Sequence, residues 1–102
     1  MALIVYWTHF AENKLADIFA YYQIKAGSNI AQKLVAGIVD KTKGLENNPF
    51  IGQKELLLSD RPQEFRYLIY KSYKIIYCIN SEQKRIEVVN VFDCRQNPEK
   101  LK

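Results

Sequence analysis

The chain has 102 residues, of which 48% are hydrophobic and 25% are charged, as in an ordinary soluble globular protein. Its length predicts one domain over residues 1–102, with a single small core. The net charge of +4 is compatible with an anionic partner. No apolar run reaches the roughly 18 to 20 residues of a membrane span, and no leader pattern opens the chain. We therefore expect a cytoplasmic protein without a membrane partner.

The first predicted elements are a short strand and two helices. Leu3–Trp7 is apolar and favours a strand, and Thr8 is a plausible N-cap for the helix that follows. Gly27 should end that first helix, and Ser28 or Asn29 should cap the second. The helical stripes are Ala11, Leu15, Ile18 and Tyr22, then Ala31, Leu34, Val35, Ile38, Val39, Thr42 and Leu45. With about four residues between them, the helices should form an antiparallel hairpin that ends at Asn47-Asn48-Pro49.

The second half of the chain favours strands. Residues 50–63 lack periodicity and predict a loop over the sheet edge, with Leu56-Leu57-Leu58 buried. Residues 64–79 predict a hairpin with a turn at Lys71-Ser72. In the final strand, Arg85–Phe92, we expect Ile86, Val88 and Phe92 to oppose Val89 and Val91. Both of its faces are apolar, so this strand should lie in the centre of the sheet.

These elements give an α+β architecture in the order β-α-α-β-β-β, with the helical hairpin on one face of a small antiparallel sheet. A single helical hairpin can cover only one face. The other face and part of the helical groove would then expose apolar surface, which predicts a protein partner.

The hairpin is also rich in cations and rings. Between Phe65 and Asn80 there is no acidic side chain to balance Arg66, Lys71 and Lys74. The tyrosines of this stretch can pack within the sheet or form a stacking platform for a polyanion. The cations can bind a target, or Arg66 and Lys74 can simply pair with Glu64 or Glu87 across the sheet.

The cysteines and the one histidine do not indicate a metal centre. Cys78, Cys94 and His9 match neither a disulfide framework nor a zinc-ligand spacing. We therefore expect no metal, no cofactor and no small-molecule substrate.

Several motifs in order resemble the RelE/ParE superfamily of bacterial toxins. In the C-terminal half they are Arg66-x-Leu68, Lys71-Ser72-Tyr73-Lys74-Ile75-Ile76-Tyr77 and Arg95-Gln96-Asn97-Pro98. The N-terminal half is similar to the ParE branch through Val5-x-x-Thr8-x-x-Ala11-x-x-x-Leu15-x-x-Ile18-x-x-Tyr21 and Asn48-Pro49-x-x-Gly52. The resemblance implies a toxin of a type II toxin–antitoxin, or plasmid stabilisation, system with a cognate antitoxin that folds as it binds.

The resemblance leaves the cellular target open. A RelE-like toxin would be a ribosome-dependent endoribonuclease that cleaves messenger RNA, with Arg66, Lys74 and Arg95 as its catalytic cations. At the inner-strand position where the RelE-like branch often carries a second Lys, this chain has Leu68. The tail 97–102 has no Tyr or His to transfer protons. These departures favour a ParE-like inhibitor of DNA gyrase that is not an enzyme. A non-toxic relic that only binds antitoxin is the third reading.

The ParE-like reading implies two sets of site residues. The gyrase-binding set is Arg66, Lys71, Tyr73, Lys74 and Arg95. The antitoxin-binding set, along the two helical stripes, is Leu15, Ile18, Tyr22, Leu34 and Ile38.

Overall fold

The computed structural model describes residues 3–101, which form an α+β fold of two helices and five strands. The helices are α1 (His9–Ala26) and α2 (Ser28–Lys43). The strands are β1 (Ile4–Trp7), β2 (Gln53–Lys54), β3 (Phe65–Tyr70), β4 (Tyr73–Asn80) and β5 (Arg85–Asp93). Short 3-10 helices cover Gly44–Glu46, Leu56–Leu58 and Pro98–Leu101. Neither α-helix within 3–101 is long and apolar enough to cross a membrane.

The helix boundaries follow from local capping. Thr8 is the N-cap of α1, and its side-chain oxygen accepts a hydrogen bond from the backbone N–H of Ala11 at 3.2 Å. Gly27, with φ of 97°, ends α1 and at the same time begins α2, without a side-chain cap. The expected four-residue connection and the cap at Ser28 or Asn29 were wrong, because the positive φ of one glycine reverses the chain.

The sheet has the strand order β1-β5-β4-β3-β2, so β5 is an interior strand, as the sequence predicted, and lies between β1 and β4. The other three pairs are antiparallel, as the predicted antiparallel sheet requires, whereas β1 differs from that prediction because it runs parallel to β5. A parallel pair needs a long crossover, and here the helices and the rest of the sheet lie between the two strands. The two-residue β2 extends the sheet beyond β3 and had no sequence signal.

The main core lies between the helices and the sheet. Ile38, Ile75, Tyr77, Ile86 and Val88 are fully buried in it, and Leu34 and Tyr73 nearly so. We call this side of the sheet the helix face.

A bulge in β5 changes the expected alternation. Ile76 pairs with Asn90 but Tyr77 pairs with Val88, so Val89 is an extra residue. Val91 therefore joins Val88 on the helix face, while Phe92 packs with the outer cluster, contrary to the sequence-based assignment.

The outer face is only partly covered by nearby segments. Its cluster consists of Leu58, Ile76, Phe92 and Leu101, with Leu57, Phe65, Tyr67 and Val89 packed against it. Burial of all three leucines at 56–58 was expected, yet Leu56 is 75% exposed. Ile4, Tyr6 and Ile69 also remain exposed on this part of the molecule.

Candidate functional site

Arg66 holds a loop in place. It lies opposite Tyr77 in the β3–β4 ladder and therefore on the helix face. Its guanidinium donates to the carbonyl oxygens of Phe50 (3.3 Å) and Gly52 (2.8 Å) and pairs with Glu64 at 2.9 Å. The pairing with Glu64 was one of the alternatives from the sequence. Only 16% of the Arg66 side chain is exposed.

Lys74 is neutralised on the other face of the sheet. In the β4–β5 ladder Lys74 lies opposite Phe92, a residue of the outer cluster. Its Nζ lies 2.7 Å from a carboxylate oxygen of Glu55, whose side chain is 3% exposed. The ammonium group also lies 4.4 Å from the ring centroid of Tyr67. Glu87, the alternative partner, instead pairs with Arg85 at 2.7 Å.

The three cations of the ribonuclease reading are therefore not brought together. Arg66 and Lys74 lie on opposite faces of the sheet, and each is engaged by a carboxylate from outside the stretch 65–80. The sequence offered Glu64 as a partner but not Glu55, which lies 19 residues before Lys74.

Arg95 lies just beyond β5 in a fixed orientation. Its Nε and Nη2 donate to the two oxygens of Asp93 at 2.9 and 2.8 Å, and Nη2 also donates to the Tyr22 hydroxyl at 3.3 Å. Hydrogen bonding to Arg95 holds the pKa of Asp93 below its ordinary value. The Arg95 side chain is 59% exposed, so it is both positioned and accessible.

Two tyrosines continue this network. The hydroxyl groups of Tyr22 and Tyr73 are hydrogen-bonded, and the bonds from Tyr73 and then Arg95 lower the pKa of Tyr22. Burial, followed by the bond to Tyr22, raises the pKa of Tyr73. The Tyr22 oxygen thus accepts from two donors.

Two clefts lie beside this network, and we call them the twin clefts. The first, of about 480 Å³, is lined by Lys14, Asp17, Ile18, Tyr21, Tyr73, Val91, Asp93, Arg95 and Gln96. The second, of about 330 Å³, is lined by Tyr22, Ile30, Lys33, Leu34, Tyr70, Lys71, Ser72 and Tyr73. Within residues 3–101, Lys14, Lys33 and Lys71 form no ion pair. The second cleft therefore combines apolar walls with unneutralised positive charge, whereas the first is lined by both Lys14 and the carboxylate of Asp17.

The structure divides the gyrase-binding set of the sequence. Lys71, Tyr73 and Arg95 line the twin clefts, whereas Arg66 and Lys74 do not.

The antitoxin-binding set is divided in the same way. Ile38 is fully buried in the core, whereas Leu34, 8% exposed, packs in the core and also lines the second cleft. Ile38 is therefore not accessible on the surface of the unbound chain, and the antitoxin-binding role of this set stays a prediction. Leu15, Ile18 and Tyr22 are half-buried at the edge of the core, and the last two reach the twin clefts.

Sequence reasoning missed the bond between Tyr22 and Arg95 and the exposed pair Phe50 and Ile51. Tyr22 and Arg95 are 73 residues apart, and no local pattern connects them. For the exposed pair, the motif Asn48-Pro49-x-x-Gly52 was the available signal, because it marks a loop with a fixed conformation.

Among the residues of the described chain, no three His, Cys, Asp or Glu side chains form a group that could hold a metal ion.

Comparisons with known proteins agree with this fold. Residues 5–98 match the model of the family described as "ParE toxin of type II toxin-antitoxin system, parDE". The chain is similar to a solved structure described as "Chromosomal ParDE TA system from P. aeruginosa", with a TM-score of 0.74 and 22% identity over 90% of this chain and 96% of that one. At that identity the likeness shows the fold alone. None of the curated proteins matches the sequence. Because the family match covers most of the chain, this protein belongs to the ParE toxin family of type II toxin–antitoxin systems.

Proposed function

We propose that the chain is a toxin that inhibits DNA gyrase in the cytoplasm by binding it, and that a cognate antitoxin neutralises it. The observation that carries the choice of a binding protein over a nuclease is the separation of Arg66 and Lys74 on opposite faces of the sheet.

Ribonuclease chemistry would require more than these residues offer. Cleavage needs cations that converge on one phosphate and a group that takes the 2′-hydroxyl proton. Tyr22, whose pKa is lowered, is the natural candidate for that group, but its oxygen already accepts from Tyr73 and Arg95. Arg66 and Lys74 are occupied by Glu64 and Glu55. Binding without hydrolysis is therefore the better-supported function.

The twin clefts are the proposed binding site for partners. Lys71, Tyr73 and Arg95 would contact gyrase, because Arg95 is held by Asp93 and Tyr22 while most of its side chain remains exposed. A guanidinium that is oriented in advance loses little entropy on binding a carboxylate.

The antitoxin would use the same end of the molecule. Its contacts would include Ile18 and Tyr22, which line the clefts, with Leu15 at the adjoining edge of the core. Because Lys33 and Lys71 of the second cleft have no carboxylate partner in 3–101 and no acidic residue lines that cleft, an acidic segment with apolar side chains is the complementary occupant. Such a segment can fold as it binds.

The proposal is tested with the purified chain in two assays run side by side. We expect inhibition of gyrase supercoiling and no cleavage of messenger RNA on translating ribosomes. Arg95→Ala should lose the inhibition, while the matched control Lys41→Ala, an exposed cation of α2 away from the clefts, should retain it. Codon-specific cleavage would replace the proposal with the ribonuclease, and inactivity in both assays would indicate a relic.

Expression in cells gives an independent test. Induction without antitoxin should give filamentous cells and an SOS response, with DNA synthesis stopping before protein synthesis in pulse labelling. Co-expression of a small acidic protein encoded beside this gene should restore growth. The opposite order in pulse labelling would contradict gyrase as the target.

A further inference from the structure

The loop Pro49–Gly52 exposes two large apolar side chains in succession. Phe50 is 64% exposed and Ile51 is 63% exposed. Single exposed apolar residues are common on proteins and need no explanation. This pair differs because two largely buried side chains fix the backbone beneath it.

Tyr77 is the first of these anchors. It is fully buried, its hydroxyl donates to the carbonyl oxygen of Pro49 at 2.8 Å, and it accepts from the backbone N–H of Gly52 at 2.9 Å. A Cβ at Gly52 would lie 2.6 Å from that hydroxyl and 2.7 Å from the carbonyl oxygen of Tyr67. Gly52 is therefore required for this close approach.

Arg66 is the second anchor. It donates to the carbonyl oxygens of Phe50 and Gly52, and its guanidinium carbon lies 5.1 Å from the centroid of the Phe50 ring. The cation thus fixes both the backbone and the aromatic side chain. Four hydrogen bonds from two side chains hold a four-residue loop.

Such a protrusion fits one kind of partner. Two apolar side chains that project from an anchored backbone need a preformed concave acceptor, which a folded protein has. A segment that folds on binding instead brings its own side chains and needs clefts, which this chain has at Tyr22 and Tyr73.

We infer that Phe50 and Ile51 form a second contact with the folded target protein and enter an apolar pocket on it. The inference rests on the proposed function, because it requires a target that the chain binds. It also changes the role of Arg66, which becomes a positioning residue that acts through the loop instead of contacting the target.

The first test is the double variant Phe50→Ser/Ile51→Ser in the supercoiling assay. Loss of two central apolar contacts should raise the half-inhibitory concentration about tenfold or more. Co-purification with the antitoxin and the melting temperature should stay as in the parent. Ile24→Ser is the matched control, because it also removes an exposed apolar side chain: Ile24 lies on α1 and is 85% exposed. This variant should inhibit gyrase like the parent.

The second test separates positioning from charge at Arg66. Lysine keeps the charge but cannot donate to two carbonyl oxygens in the fork that Arg66 provides, so Arg66→Lys should lose inhibition as Arg66→Gln does. Added to the double variant, Arg66→Lys should cause no further loss, because both changes remove the same contact. Rescue by lysine, or a further loss in the combined variant, would overturn the positioning role.

The outcomes distinguish this inference from the proposed function. If the parent chain inhibits gyrase and the double variant inhibits it equally, the loop contact is refuted and the proposed function stands. If the parent does not inhibit gyrase, both are refuted.

Discussion

Replacement of Lys74 by methionine should lower the free energy of unfolding, because Lys74 has a structural role and not a catalytic one. Methionine keeps most of the aliphatic length but leaves the Glu55 carboxylate, 3% exposed, without its cation 2.7 Å away. Breaking a buried ion pair by removing one partner costs roughly 3 to 5 kcal/mol.

The expected cost lies at the lower end of that range. The Lys74 side chain is 21% exposed, so solvent screens part of the interaction, whereas the contact with Tyr67 at 4.4 Å adds to the loss. We expect about 3 kcal/mol, and since about 1 kcal/mol lowers the melting temperature of a domain of this size by roughly 4 to 8 °C, the fall should be roughly 12 to 24 °C.

The assay is a denaturant and thermal titration of a double-mutant cycle. Glu55→Gln removes the charge yet still accepts from the backbone N–H of Leu57, as Glu55 does at 3.2 Å. Because the uncompensated charge is the main cost, Lys74→Met with Glu55→Gln should be clearly less destabilised than the sum of the single variants. A Lys74→Met protein that melts within about 0.5 kcal/mol of the parent but has lost growth arrest would refute the structural reasoning and return Lys74 to the functional site.

The other predictions concern the Arg95 network and the loop anchor. Arg95→Ala should abolish growth arrest while the free energy of unfolding falls by no more than about 1 kcal/mol, as for an exposed ion pair, and a variant that keeps this stability and still arrests growth would remove Arg95 from the site. In the same variant the pKa of Tyr22 should rise, measured by phenolate absorbance, and an unchanged pKa would contradict the contact. Because the folded pKa of Asp93 is lowered, its stabilisation is complete above the ordinary aspartate pKa of about 3.9 and is lost as the pH falls through the folded value. Asp93→Asn should reduce that acid loss in melts across this range, and equal acid loss in both proteins would count against the pair. Tyr77→Phe should lower the free energy of unfolding by about 1 to 3 kcal/mol, because the buried N–H of Gly52 loses its acceptor. Denaturant titration measures this change, and an unchanged stability would contradict the anchoring role of the hydroxyl.

Local patterns explain why much of the fold could be predicted. The Ala11 and Ala31 stripes specify the helices through burial at helical spacing, and β4 and β5 are apolar on both faces, as central strands are. The parallel pairing of β1 with β5 could not be predicted, because a short apolar run does not encode which strand it joins or in which direction.

The candidate site was less accessible to sequence reasoning. Alternation within each strand did not relate the face of Arg66 to that of Lys74, and the pairing of Lys74 with Glu55 and the contact of Arg95 with Tyr22 depend on tertiary packing. The bulge at Val89 shows the same limit, since one extra residue reverses the faces of Val91 and Phe92 without any Gly or Pro to mark it.

The parallel pairing of β1 also sets the order in which a newly made chain can fold. Thr8 donates from both its backbone N–H and its hydroxyl to the carbonyl oxygen of Val88, 80 residues later, and among the strands of residues 3–101 β1 pairs only with β5. On the ribosome, α1 and α2 can form their local contacts early, but β1 has no strand partner until residues 85–88 have emerged. Since such distant contacts form slowly, closure of the sheet is the late step of folding. Arg95 follows β5, so the surface that it forms with Tyr22 is assembled only after β5 and Arg95 have emerged.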